Sequence, residues 1–484
     1  MTEGSAVAEW LQTADRAADW SGVRACVAGL GKSGFAAADA LLRVGALVEV
    51  VESAEASSSG LMVQRVQILE TLGARVRTAV SGDAKIKTDL LVPSPGFPPH
   101  HRWIAEAQSA TVWSGEQLAW NLRVPTVPWL TVTGTNGKTT TTQLLNQMLL
   151  AAGLQSLAVG NIGVPVVEAV FAEPQPDVLV IELSSFQLHF TTRISAHSAA
   201  LLNIAEDHLD WHGSMDAYVA DKARVFSNTE RTIVYNHDDS RSEPLAEDAD
   251  VIEGCRAVGF TLGVPGRAMM GVVDGVLVDR AYGADRASHA LEIVEAAALP
   301  LTGQHNVQNV LAAAALARSY GASLADVRSG ALGFAIDAHR GETVATVGDV
   351  RFVDNSKATN VLAADVALTA AGGDVVWIAG GLAKGGTFDD LISRHRTSLR
   401  AVVLMGADRT LIAEALARHA PEVPVIEVPD GETEPMNHAV QAAALVARPH
   451  DTVLLAPACA SMDQFSDYQA RGRAFGSAVA RLRR

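Results

Sequence analysis

Cysteine is scarce in this chain. Cys26, Cys255 and Cys459 are the only three among 484 residues, odd in number and far apart, which fits a reducing cytosol and no disulfide framework. Basic residues are also outnumbered: 38 Lys and Arg face 54 Asp and Glu, a formal net charge of −16. That balance speaks against the clustered Lys/Arg face of a nucleic-acid-binding surface. It leaves room for small anionic ligands, because a few basic groups and helix N-termini make local positive sites. No stretch of eighteen apolar residues occurs, so no membrane span is expected. The opening MTEGSAVAEWLQTADRAADW is acidic and interrupted by charges, unlike a secretory signal. Fixed-period repeats and low-complexity tails are absent too. With 48% hydrophobic and 19% charged residues, what remains is a chain able to bury a sizeable core, and its length suggests about three domains.

Short apolar runs bounded by Gly and Pro alternate with Ala-rich helical stretches, the pattern of parallel α/β architecture. Residues 1–124 form a first section, with strands expected at 23–28, 47–51 and 88–92, and the proline-marked VPTVPW reads as a linker. A second section covers 125–337, with strands at 129–133, 178–183, 199–203 and 232–235 and a long helix at 304–320 ending at Gly321. The third, 338–484, holds DVRFVDN, DVVWIAGG, AVVLMG and DTVLLAP as strands. Polar residues cluster just after these strands: GTNGKT, ELSSFQ, NIAEDHLD, DNSKATN, GGLAKG and PACAS. In open α/β sheets ligands bind beyond the carboxyl ends of the strands.

The stretch TVTGTNGKTTTTQ at 131–143 approaches the phosphate-loop pattern G-x-x-x-x-G-K-[ST]. Counting back from Gly137, the first glycine is replaced by Val132. Strand, Gly-rich turn, lysine and helix remain in the order that phosphate binding needs. Backbone N–H groups of Gly134, Thr135, Asn136 and Gly137 and the helix N-terminus at Thr140 would face phosphate. Lys138 would reach the terminal phosphates and the Thr139 hydroxyl a Mg²⁺ ion. No N-K-x-D tetrapeptide occurs, which disfavours a GTPase switch. Glu182, after VLVI, is placed for a second Mg²⁺ ligand or is a strand-end acid in solvent. His208 lies among Glu206, Asp207 and Asp210, a metal or phosphate candidate. Lys222, on spacing alone, is an ordinary helix lysine.

GLGKSG at 29–34 fits G-x-G-x-x-G, and Glu52 lies 21 residues beyond Gly31, as the ribose-binding acid of a dinucleotide fingerprint does. A nicotinamide oxidoreductase is therefore a rival reading. Any pyrophosphate fits such a turn, and SPGF at 94–97 could face the same ligand.

Together GTNGKTTTT, ELSSFQL, NIAEDHLDWHG, GQHNVQN and the Arg340 of AHRGE resemble, in matching order, the ATPase signature of the Mur ligase family. VDNSKATN, GGLAKGG and PACASMDQF resemble the D-glutamate-adding members; sister ligases for other amino acids, and folylpolyglutamate synthases, carry different motifs there. The resemblance implies a Rossmann-like N-terminal UDP-sugar domain, a central P-loop ATPase domain with a mainly parallel sheet, and a Rossmann-like C-terminal amino-acid domain. It implies a cytoplasmic, monomeric enzyme that uses ATP to join D-glutamate to UDP-N-acetylmuramoyl-L-alanine through an acyl phosphate. Mg²⁺ would occupy two sites, Thr139 with Glu182 and His208 with Lys222, with Mn²⁺ able to substitute. Lys222 would act as a carbamate, an anion that binds the metal where an ammonium would repel it. Asn306 and Asn309, one helical turn apart, would meet adenine unless they only cap the helix, and Arg340 would reach the γ-phosphate. Asn355 and Lys357 would complete the ATP contacts. Lys357, Thr359, Lys384, Ser461 and Tyr468 would surround D-glutamate; Ser33, Gly34, Glu52, Ser53, Gly96, Asn161 and His208 would contact the UDP-sugar. Two positions depart from the family pattern. Asn355 stands where aspartate is usual, with Asp354 one residue earlier, and Ala54 stands where a basic residue is common.

An oxidoreductase uses only GLGKSG and leaves GTNGKTT, HLDWH and SKATN idle. A nucleotide switch leaves the first and third sections idle. The ligase reading uses all of them, with a sister ligase for another amino acid as its nearest competitor.

Overall fold

The computed structural model describes residues 3–53, 60–79, 87–107, 110–335, 339, 341–383, 385–429 and 431–482. Among these, twenty strands form three sheets in an α/β chain. The first sheet comprises β1 (Arg24–Ala28), β2 (Leu47–Ser53), β3 (Arg75–Ala79), β4 (Leu90–Pro93) and β5 (Thr111–Val112). Its order is β3-β2-β1-β4-β5 with every pairing parallel. Chain direction across the sheet reverses between β1 and β4, which opens a crevice at their carboxyl ends.

The second sheet comprises β6 (Trp129–Thr133), β7 (Ser156–Gly160), β8 (Val178–Glu182), β9 (Ser198–Leu201), β10 (Thr232–Asn236), β11 (Arg256–Phe260), β12 (Met269–Val273), β13 (Val276–Asp279) and β14 (Leu291–Glu295). Its order is β14-β13-β12-β11-β10-β9-β6-β8-β7. Pairings are parallel from β7 to β12 and antiparallel from β12 to β14. The β12–β13 hairpin turns at Asp274 and Gly275, with φ of +49° and +81°, the left-handed pair that a two-residue turn requires. That Asp-Gly signal stands in the sequence, although the apolar runs flanking it are too short for strands to be expected there.

The third sheet comprises β15 (Glu342–Val347), β16 (Val350–Asp354), β17 (Val375–Ala379), β18 (Leu399–Leu404), β19 (Val425–Glu427) and β20 (Thr452–Leu455). The order is β15-β16-β20-β17-β18-β19, parallel except for β15 against β16. Because β20 lies between β16 and β17, the loops after all three leave the same edge of the sheet.

Parallel strands covered on both faces read as unbroken apolar runs. In β17, Val375 and Trp377 join one apolar cluster while Val376 and Ile378 join another. In β8, Val178 and Val180 pack to one side and Leu179 and Ile181 to the other. Each such side chain, fully buried, contributes about 1.5–3 kcal/mol. Val132 is 0% exposed and pairs with Glu182 and Ala200, so it belongs to the strand and not to the loop. The long helix runs Gln304–Ser319, and Gly321 takes φ +103° just beyond it, the left-handed termination expected there.

The chain divides into two compact units. One holds Met1–Ile204 with Trp211–Phe334, the other Ala205–Asp210 with Ala335–Arg484. Within the first unit a single apolar cluster extends from Val27, Leu41 and Val50 to Leu179, Ile181 and Leu201, so its two sheets share a core.

Candidate active site

The loop after β6 is built to present backbone. Gly134 and Gly137 have φ of +157° and +81°, conformations that glycine adopts without strain. A Cβ on Gly137 would stand 2.3 Å from Asn309 Oδ1, so the helix Gln304–Ser319 closes directly over the turn. Asn203, just past β9, fastens the loop: the Asn136 amide donates to its Oδ1 at 2.8 Å, its Nδ2 donates to the Asn136 carbonyl at 3.1 Å, and the Thr135 amide donates to its carbonyl at 2.9 Å. Lys138 opens the helix Lys138–Ala151 and donates Nζ to the carbonyls of Gly134 (2.8 Å) and Thr135 (2.9 Å). Thr139 and Thr140 are buried in the first turn. Asn309 Nδ2 donates to Asn306 Oδ1 at 3.2 Å, and Asn306 Nδ2 donates to the Thr302 carbonyl at 2.8 Å. The two amides thus share a face, with Asn306 also closing the helix start.

Glu182 ends β8, the strand beside β6. It is 1% exposed, and its Oε2 has no hydrogen-bond partner among the described residues. A buried carboxylate oxygen left without a donor suits a hard cation. Its Oε1 accepts from Asn161 Nδ2 at 2.8 Å, and the Asn161 amide donates to the Glu182 carbonyl at 3.0 Å. Asn161 therefore orients Glu182. Among the described residues no group of three His, Cys, Asp or Glu side chains gathers to hold a metal. Mg²⁺ bound with substrate phosphates and water needs only one or two protein carboxylates, so Thr139 and Glu182 fit it.

Lys222, on the helix Met215–Ala223, is 2% exposed. Its Nζ donates to the Gly134 carbonyl at 2.8 Å and lies 4.8 Å from the centre of the Tyr218 ring. Tyr218 in turn bonds Thr135 Oγ1 at 2.9 Å. The neighbouring Asp221 joins His189 Nδ1 (2.8 Å) and His212 Nδ1 (2.9 Å), and His212 Nε2 meets Ser185 Oγ at 3.0 Å. Burial pushes the Asp221 carboxyl up, yet its histidine partners leave it below the ordinary carboxylate range. This network ties the helix carrying Lys222 to the short helix Ser185–His189 that follows Glu182. Asn203, Tyr218, Asp221 and His212 are absent from the sequence-based set; HLDWHG and the Asn of NIAEDH were visible, but only folding shows what they hold.

In the first sheet, Glu52 Oε2 accepts from the Leu30 amide and Oε1 from the Ser53 amide, each at 2.6 Å. The acid is thus bound to the glycine turn itself, with Ser33 half-buried in the first turn of the helix Lys32–Arg43 and Gly96 exposed in its loop. Ser94 Oγ donates to the Gly29 carbonyl at 3.2 Å, bringing SPGF against GLGKSG, and Lys32 Nζ donates to the Gly163 carbonyl beside Asn161. A Cβ on Gly34 would fall 1.9 Å from the Gly29 oxygen. Gly34→Ala is therefore expected to lower stability by at least about 2 kcal/mol through overpacking, read from the urea midpoint at constant slope.

In the second unit, the loops after β16, β17 and β20 are laced together by backbone bonds: Ala458 to Ala358 (2.9 Å), Gly380 to Pro457 (2.8 Å) and Leu382 to Ala460 (2.9 Å). This gathers Lys357 and Thr359 with Ser461, which is 4% exposed, and Lys357 Nζ sits 5.0 Å from the Tyr468 ring centre. Asp354 is 1% exposed; its Oδ2 meets His339 Nδ1 at 2.6 Å and its Oδ1 accepts from the Ser356 amide at 2.9 Å. Burial raises its carboxyl above the ordinary range against the pull of His339. Asp354 is therefore committed inward, and half-buried Asn355 occupies the loop position. His208 adopts φ +56°, with Nε2 3.6 Å from Asp207 Oδ2, and Asn360 Nδ2 donates to the same oxygen at 3.1 Å. Arg471, 1% exposed, is a residue the motifs did not single out. Its spacing from Phe475, Ala478 and Val479 places it on the buried face of the helix Tyr468–Leu482, a signal legible in hindsight. Ala54, Arg340 and Lys384 lie outside the described residues.

Residues 132–317 match the model of the Mur ligase middle domain and residues 339–459 that of the Mur ligase glutamate ligase domain. The chain is 52% identical over 464 residues to the UDP-N-acetylmuramoylalanine--D-glutamate ligase of Streptomyces avermitilis, covering 95% of this chain and 98% of the relative. It is 51% identical over 470 residues to the protein of the same name from Streptomyces coelicolor, covering 96% and 99%. Among solved structures, the UDP-N-acetylmuramate-alanine ligase of Thermotoga maritima superposes with a TM-score of 0.56 at 18% identity, covering 95% of this chain and 99% of that one. At that identity the likeness concerns the fold.

Proposed function

This chain belongs to the Mur ligase family, and from that premise we propose how its three sheets divide one reaction. The protein is an ATP-dependent ligase that adds D-glutamate to UDP-N-acetylmuramoyl-L-alanine in peptidoglycan precursor synthesis. The observation that carries this is the likeness, over 95% of the chain, to a relative named for that reaction. In the proposed division, residues 1–124 hold the UDP-sugar, 125–337 hold ATP, and 338–484 hold D-glutamate.

A carboxylate acylates poorly because its leaving group would be oxide. Its oxygen therefore attacks the γ-phosphorus of ATP, ADP leaves, and the acyl phosphate forms. The amine of D-glutamate then attacks the acyl carbon, loses a proton, and phosphate departs as the amide closes. Little covalent work falls to the protein; positioning and charge neutralisation dominate. Lys138 steadies the terminal phosphates, Arg340 the γ-phosphate, and Asn306 and Asn309 the adenine. Thr139 and Glu182 would hold one Mg²⁺, with His208 and carbamylated Lys222 assigned to a second; the bound ions would offset phosphate charge. Ser33, Gly34, Glu52, Ser53, Gly96 and Asn161 are assigned to the UDP-sugar. Asn355 takes the nucleotide-side place in the loop after β16, while Lys357, Thr359, Lys384, Ser461 and Tyr468 are assigned to D-glutamate. Mn²⁺ in place of Mg²⁺ and a monomeric state belong to the same proposal. No helix among the described residues is long and apolar enough to cross a membrane, none of the three cysteines is in a disulfide, and we assign the protein to the cytoplasm.

Phosphate release measured with ATP, Mg²⁺ and UDP-N-acetylmuramoyl-L-alanine across a panel of amino acids tests the reading. Turnover is expected with D-glutamate alone. Equal turnover with L-lysine or D-alanyl-D-alanine would overturn it.

A further inference from the structure

The geometry points to Arg471 as the positioning residue of the D-glutamate half of the reaction, an inference that rests on assigning Lys357, Thr359, Ser461 and Tyr468 to that substrate. Its guanidinium is a clamp with three separate ends. Nε donates to Ser356 Oγ at 3.0 Å, one terminal nitrogen donates to the Ser356 carbonyl at 2.9 Å, and the other donates to the Cys459 carbonyl at 3.1 Å. Ser356 Oγ passes the connection on, donating to the Tyr468 carbonyl at 2.8 Å. Ser356 directly precedes Lys357, and Cys459 lies two residues before Ser461. One side chain thus holds the loop after β16, the loop after β20 and the start of the helix Tyr468–Leu482 in a fixed relation.

The adjoining residue shows how closely the clamp is seated. A Cβ on Gly472 would lie 2.2 Å from His339 Nδ1 and 2.8 Å from Asp354 Oδ2. The Arg471-Gly472 pair therefore docks the helix directly against the end of β16.

Packing alone does not account for a cation here. The three acceptors are neutral, and among the described residues no carboxylate forms a salt bridge with Arg471. Burial draws its pKa down to about 10, which leaves it charged at neutral pH. The Asp463 and Asp354 carboxylates attract it without pairing with it and offset only part of the burial cost, and an apolar side chain of similar volume often fills such a place more stably. What the guanidinium adds is a rigid fork that no apolar residue supplies and a positive charge beneath loops assigned to a dicarboxylate.

The test uses the full chain and varies D-glutamate, ATP and UDP-N-acetylmuramoyl-L-alanine separately in the phosphate-release assay. Arg471→Met is expected to raise KM for D-glutamate about 10- to 100-fold, the usual range for losing an outer-shell partner. KM for UDP-N-acetylmuramoyl-L-alanine, assigned to other loops, should stay within about twofold, and KM for ATP should rise less than that for D-glutamate, since Asn355 and Lys357 flank the clamped Ser356. Arg471→Lys, which keeps the charge and loses the fork, should fall between. Ser356→Ala removes a single hydroxyl, and it carries the test if Arg471→Met does not fold; KM for D-glutamate should again rise selectively. An unchanged KM for D-glutamate in a folded variant, or an equal rise for all three substrates, would overturn the inference. A wild-type protein without D-glutamate-dependent phosphate release would overturn the underlying assignment instead.

Discussion

Lys138→Ala is expected to lower ATP-dependent phosphate release about a thousandfold while leaving UDP-N-acetylmuramoyl-L-alanine binding within about twofold. The magnitude follows from removing one preorganised donor from a site where charge develops, about 10²–10³ for a single hydrogen bond and more where the donor carries a full charge. Position supports the assignment. The ammonium is anchored at 2.8 and 2.9 Å to the Gly134 and Thr135 carbonyls, at the mouth of a turn that Asn203 fastens through the Thr135 and Asn136 amides. The UDP-sugar contacts are assigned to other loops, those around Glu52 and Ser94, which are held by their own hydrogen bonds. Calorimetry with the UDP-sugar and single-turnover phosphate release with ATP separate the two effects. Loss of both activities in a folded variant would mean that the division of the chain into ligand-specific sections is wrong.

Lys222 should be as sensitive, for a different reason. Lys222 and Lys138 each place Nζ 2.8 Å from the same Gly134 carbonyl oxygen, so the two nitrogens stand no farther apart than those two bonds laid end to end. Two ammonium charges at such a separation repel by roughly 3 kcal/mol at an effective dielectric of about 20. Addition of CO₂ to the Lys222 amine, with loss of a proton, forms an N–C bond and turns the pair into anion and cation. In the proposed carbamate form, that conversion would also supply a second anionic group for Mg²⁺ near the loop. Lys222→Arg and Lys222→Met are both expected to lower kcat by two to three orders of magnitude, on the order of a lost charge-stabilising group. A role as a simple cation predicts instead that Lys222→Arg stays largely active while Lys222→Met does not. In the wild-type enzyme, removal of bicarbonate should depress turnover reversibly, and ¹³C-bicarbonate should give a carbamate resonance that Lys222→Arg lacks. An active Lys222→Arg variant, or a metal-loaded enzyme with no such resonance, would rule the carbamate out.

Much of this site is legible without coordinates because its chemistry depends on local rules. The turn of GTNGKT needs glycine where φ is positive, and Gly134 and Gly137 take that conformation. The apolar runs that become β6, β8, β17 and β20 are long and unbroken because both faces of those sheets are covered. Loops after strands carry the polar residues because that is where a parallel sheet opens to ligand. Val132 is the instructive case. Against the phosphate-loop pattern it looks like a missing glycine, but as a fully buried strand residue it shows that the loop is shorter.

Other features depend on which strands become neighbours, and no run of residues states that. Asn161 is legible as a polar residue after a strand; that it orients Glu182 follows only from β7 lying beside β8. Asp354 and Asn355 are adjacent and similar in sequence, yet alternation at the end of β16 turns one inward to His339 and leaves the other at the loop. Arg471 carries no motif, because its partners lie 115 and 12 residues away in the chain. Strand-loop-helix units, glycine turns and the inventory of chemical groups can be read from the chain alone, since each depends on backbone conformation and hydrophobic period over a few residues. Tertiary structure decided the partners: the orphaned oxygen of Glu182, the two lysines on one carbonyl and the buried guanidinium holding two loops exist only once distant segments are packed side by side.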